Sequence, residues 1–193
     1  MMRGETVPYI KEVKLPHMRY LEVDINFSLD YKNGDEKLLE KILNRVQDRE
    51  VGDMKVLTLD HADFFIHLCS HLHKEATTLP WIEMKRDMTL YKYCDIYALL
   101  SEMSQEEIDM IYERAKELDM EEIVAFTILQ TAAFFDLNDK FILMAEDVLQ
   151  DKLDFIHLVV SPKDKKNLIY EQRNIYERFF AEERRKLLKE VTE

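Results

Sequence analysis

Residues 20–29 alternate with a period of two. Leu21, Val23, Ile25, Phe27 and Leu29 fall on one side, and Glu22, Asp24, Asn26 and Ser28 on the other. Successive side chains of an extended chain point to opposite faces, so this pattern predicts a half-buried strand. Residues 7–13 read as a partner strand halted by Pro16, and Asn33-Gly34 as a turn. Two strands alone are marginal in water, so the ribbon is expected to lean on helices or on another chain.

From Asp35 onward the period lengthens. Asp35 is placed to cap a helix carrying Leu38, Leu39, Ile42, Leu43 and Val46 at three- and four-residue spacings. Further helices are predicted over residues 60–76 and 88–103. Ser104 and Glu107 form a capping box that opens the next one, because each side chain satisfies the other's free backbone N–H. Residues 121–135 are apolar nearly all round, as expected of a buried central helix. Asn138 starts a helix that ends near Gln150. Residues 155–160 read as a strand or an extended link stopped by Ser161-Pro162, and residues 166–191 as a charged closing helix. The expected fold is mainly α: a bundle-like helical body (35–193) behind a short N-terminal β-hairpin or two-stranded sheet (1–34).

Composition supports this reading. Only three Gly and four Pro occur in 193 residues, too few for the many turns of a sandwich or barrel. A 47% apolar and 34% charged chain of this length can bury a core. The net charge of −12 argues against a protein that mainly grips nucleic-acid phosphates. Lys163, Lys165 and Lys166 gather in one predicted loop and Arg184, Arg185, Lys186 and Lys189 in the last helix, as solvated charge. Cys69 and Cys94 lie in apolar stretches without CxxC spacing and read as reduced core thiols. No apolar run is long enough to span a membrane, and no apolar leader opens the chain. A cytoplasmic protein is expected.

Candidate chemistry concentrates in the helix at 60–76. At about 100° per residue, Asp63, His67, His71 and Glu75 form one drifting stripe, while His73 lies about 200° from His71. His67 and His71 supply two ligands at most, so a metal site needs a third from elsewhere, and Asp95 is the candidate. Hydrogen-bonded packing is the competing explanation of that stripe. Trp81, Tyr91, Tyr93 and Tyr97 read as packing rather than as a stacking platform. Gly4, Gly34 and Gly52 are far apart, which excludes a phosphate-cradling loop or dinucleotide fingerprint. No complete catalytic set is present for any enzyme.

Three stretches, taken in order, resemble a bacterial nucleotidyltransferase-like family of the polymerase-β superfamily. Residues 20–29 are similar to its strand of pattern vDlHw or vElHw. Residues 59–75, Leu-Asp-His-Ala-Asp-Phe-Phe-Ile-His-Leu-Cys-Ser-His-Leu-His-Lys-Glu, are similar to its His-bearing helix, and residues 93–100, Tyr-Cys-Asp-Ile-Tyr-Ala-Leu-Leu, to its l-x-D-i-x-x-L-l segment. The resemblance covers roughly residues 7–135. It implies two-metal nucleotidyl transfer, in which three strand carboxylates hold Mg²⁺ ions that activate a hydroxyl and neutralise a nucleoside triphosphate. By position Asp24 is the third of those carboxylates and the metal ligand, while His71 and Asp95, with His67, fall on substrate-binding positions. Asn26 stands where the strand pattern has His, and Glu75 where the helix pattern has its second His. The Gly-Ser and Asp-x-Asp segment that supplies the first two carboxylates belongs ahead of residue 1.

The leading expectation is therefore a nucleotidyltransferase-family protein inactive alone, acting as a substrate- or partner-binding helical body. Its exposed strand is placed to pair with a partner's sheet or a second copy. Two alternatives stand beside it: a non-catalytic regulatory module, and a metal-dependent hydrolase built on His67, His71 and Asp95.

Overall fold

The computed structural model describes residues 6–26 and 36–191. Strands β1 (Thr6–Leu15) and β2 (Met18–Asn26) form an antiparallel ribbon in which Tyr9 faces Val23 and Pro8 faces Asp24. Pro16 falls in the turn between them, where its missing N–H costs no ladder bond. The predicted period is present, but the burial is not. Val7, Tyr9, Leu21, Val23 and Ile25 share one face and are all 45–64% exposed. The predicted turn at Asn33-Gly34, the cap at Asp35 and the strand positions Phe27 to Leu29 lie outside the described residues.

The helical body begins with α1 (Glu36–Leu43). A second hairpin follows, β3 (Gln47–Val51) and β4 (Met54–Thr58), turning at Gly52 with φ of 60°. That positive φ suits a residue without Cβ. Helices α2 (His61–Ala76), α3 (Leu79–Glu83), α4 (Leu90–Glu102), α5 (Gln105–Glu117), α6 (Glu121–Ala132) and α7 (Asp139–Leu149) complete the body. The predicted helix boundaries at 60–76 and 88–103 hold to within two residues.

Helix α6 is the central helix its composition predicts. It packs against α2, α4, α5 and α7, and Val124, Ala125, Phe126, Thr127 and Ile128 are all buried. Around it Phe65, Ile66 and Cys69 of α2, Tyr93 and Ile96 of α4, and Ile108 and Ile111 of α5 make the main core. Cys94, one residue past Tyr93, points outward. Its neighbours' apolar character reflects the opposite face of α4, so it is not the core thiol that its surroundings predict.

The C-terminal region departs most from expectation. In place of a charged helix over 166–191 stand β6 (Lys166–Tyr170), a short α8 (Ile175–Phe180), a 3₁₀ turn over residues 184–187 and β7 (Leu188–Glu190). With β5 (Leu158–Ser161) they make an antiparallel sheet of order β5-β6-β7. Leu168 and Tyr170 alternate inward and, with Val159 and Leu188, bury against Leu79 and Ile82 of α3. The sheet is fastened to the body where the Val160 N–H donates to the Thr77 carbonyl at 2.7 Å. Residues 155–160 divide between a 3₁₀ turn and β5, so the extended reading holds for their second half.

Candidate functional site

Helix α2 starts at an N-cap. The Asp60 carboxylate accepts the Asp63 N–H at 2.9 Å, which satisfies one of the free donors of the first turn. Burial pushes the Asp60 pKa up, but the hydrogen bonds from Asp63 and Arg114 outweigh it and hold the group below its ordinary value. Asp63, the first member of the stripe, is fully buried. It accepts from Arg45 at 2.8 and 2.9 Å and from Arg114 at 3.0 Å. Its carboxylate ties the link after α1 and the last turn of α5 onto α2, so this part of the stripe is hydrogen-bonded packing.

Further along α2 the stripe meets α4. The rings of His67 and His71 are 6.4 Å apart and edge-on. His67 is half-buried, its Nδ1 has no partner, and burial lowers its pKa. His71 is exposed, and Lys92 of α4 donates to its Nδ1 at 3.2 Å. The Lys92 ammonium also donates to Glu75, which is buried and lies 3.4 Å from His71. Burial and then the charge of Lys92 lower the His71 pKa, against the pull of Glu75. A neutral imidazole that accepts at Nδ1 carries its proton on Nε2. The group therefore offers an Nε2–H donor and an ammonium whose charge Glu75 largely balances.

Asp95 is exposed on α4, one turn beyond Lys92, and makes no hydrogen bond or ion pair among the described residues. The cluster that the fold brings together is thus His71, Glu75 and Lys92 with His67 at its flank. Lys92 escaped the sequence reading. Its signal was its place one helical turn before Asp95 in the same segment.

Asp24 is exposed on β2. Glu22 shares its face two residues back, about 6.8 Å along a strand, and among the described residues the far edge of β2 is unpaired. Among the described residues no group of three or more His, Cys, Asp or Glu side chains is arranged to hold a metal ion. The donor set around Asp24, two carboxylates spaced along a ribbon, does not fit a two-metal centre.

Residues 5–136 match the protein family described as uncharacterised nucleotidyltransferase, which is about two thirds of the chain. The chain belongs to that family. The matched region runs from β1 through α6 and contains both the ribbon with Asp24 and the α2–α4 polar group. Helix α7 and the β5-β6-β7 sheet lie beyond the nucleotidyltransferase match. Comparison with curated proteins and with solved structures gave no match. Among the described residues no helix is long and apolar enough to cross a membrane.

Proposed function

We propose that this nucleotidyltransferase-family chain acts as a helical substrate- or partner-binding body that does not turn over alone. One observation carries the reading. Within the residues matched to the family, the strand bearing Asp24 has, among the described residues, an unpaired edge and an exposed apolar face. An unpaired edge beside exposed Val, Ile and Tyr is a template for strand addition. A partner or second copy that extended this sheet would bring further carboxylates alongside Asp24, which by itself offers one ligand to Mg²⁺. His71, His67 and Asp95 are proposed to contact the substrate through the face between α2 and α4. There the His71 Nε2–H and the Lys92 ammonium suit the oxygens of a nucleoside triphosphate.

Titration calorimetry with nucleoside triphosphates in the presence and absence of Mg²⁺ tests the binding half. Weak, Mg²⁺-dependent heat that disappears in Asp24→Ala is expected. Affinity unchanged in that variant would remove Asp24 from the metal-binding role. Pyrophosphate release by the chain alone would overturn its proposed inactivity.

The exposed apolar ribbon favours a second reading as well, a non-catalytic interaction module. That reading expects no nucleotide heat at all, and association of the ribbon regardless of Mg²⁺.

A further inference from the structure

Beneath α8 the C-terminal sheet and the helical body enclose a small cavity lined by Thr77, Met88, Tyr93, Gln130, Tyr170 and Arg178, among others. It holds about 10 Å³ of solvent-sized space, enough for one atom-sized guest. Its polar groups are short of partners. The Arg178 side chain is 4% exposed and its Nε has no hydrogen-bond acceptor. The Tyr93 and Tyr170 hydroxyls, on residues 1% and 3% exposed, are buried without partners too. Tyr170 offers the guanidinium its ring face at 4.8 Å, which attracts the cation but satisfies no N–H.

Charge sharpens the deficit. Among the described residues the carboxylate whose charge acts most on Arg178 is Asp87, and Arg184 already holds it through three contacts of 2.8–3.1 Å. Two guanidinium groups therefore share one buried carboxylate, which leaves one positive charge over. The tyrosines cannot supply the missing charge, because burial raises both phenol pKa values. Nearby His157 is held neutral. A buried cation without a counter-charge is costly, and a water molecule brings none.

We propose that this cavity is a binding site for one monatomic anion, chloride, held by the Arg178 guanidinium and the Tyr93 and Tyr170 hydroxyls. Three residues with unpartnered buried N–H or O–H donors line this one small cavity, and with a surplus positive charge they suit a halide. Bound there, the ion locks α8 and β6 against α4, in the region beyond the family match.

The test compares thermal unfolding of the full chain in sodium chloride and in sodium gluconate at equal ionic strength. Chloride at roughly ten times its dissociation constant is expected to raise Tm by about 3–5 °C over gluconate, with bromide acting alike. Tyr93→Phe and Arg178→Met are expected to shrink or abolish that chloride-specific increment, whatever they do to the Tm in gluconate. A crystal grown in bromide should show one anomalous peak beside Arg178 Nε. Equal Tm in both salts, or no bromide in that cavity, would mean that water alone fills it and would overturn the proposal. Should Arg178→Met fail to fold, Tyr93→Phe and the bromide experiment still decide.

Discussion

His157 shows how a single buried group sets a response to acid. It is 5% exposed, its Nδ1 has no partner, and burial with the charges of Arg178 and Arg173 brings its pKa down from 6.5 to about 4. The unfolded chain thus binds a proton at higher pH than the folded one. Its contribution to stability is complete above pH 6.5, declines as pH falls from 6.5 to 4, and is then spent. The loss across that window is at most about 3 kcal/mol. Urea midpoints measured at pH 7, 5.5 and 4.5 should fall less steeply for His157→Gln than for the wild type. Equal slopes would show that carboxylates alone produce the decline. Residue identity alone could not have singled out His157, since its burial depends on a 3₁₀ turn packed against α6 and β6. The α2 histidines were legible as a stripe, because a helical period is a local property. The partner of His71, Lys92, was settled by how α4 crosses α2.

At the scale of elements, local chemistry was decisive wherever a segment stabilises itself. The capping box forms as its spacing predicts: the Ser104 N–H donates to Glu107 at 2.8 Å, and the Glu107 N–H to Ser104 Oγ at 3.3 Å. Ser104→Ala is expected to cost about 1 kcal/mol, read as a lower urea midpoint with an unchanged slope. Loss of less than a few tenths would mean that the turn before α5 is fixed by packing instead. The hairpin β3–β4 carried no such signal. Four of the five β3 residues, Gln47 to Glu50, are polar and both faces are exposed, so no period of two could show. Only Gly52-Asp53 marked its turn. The C-terminal segment misled for the opposite reason. Its Lys, Arg, Glu and Leu residues favour helix, yet Leu168, Tyr170 and Leu188 gain more by alternating into the groove beside α3.

At the scale of the molecule, the β1–β2 ribbon stands out as a folded element whose apolar face meets solvent. Val23, 58% exposed, contributes little to the stability of an isolated chain. Val23→Lys is expected to leave the unfolding free energy within about 0.5 kcal/mol of wild type. It should also weaken any concentration-dependent association seen by sedimentation velocity, by charging the surface proposed for pairing. A large fall in stability would place Val23 against the body, and unchanged association would move the contact to another surface.

The sequence by itself determined the ribbon's period, the α2 and α4 boundaries, the start of α5, the buried α6 and the resemblance to nucleotidyltransferases, because these rest on spacings within one segment. Only the tertiary structure decided that the ribbon's apolar face is open, that the charged C-terminus enters a sheet through β6 and β7 in place of forming one helix, and that Lys92 and Glu75 join His71. It also left Arg178 buried without a carboxylate. Each of these depends on which surfaces meet across long separations, where burial and charge compensation outweigh local preference.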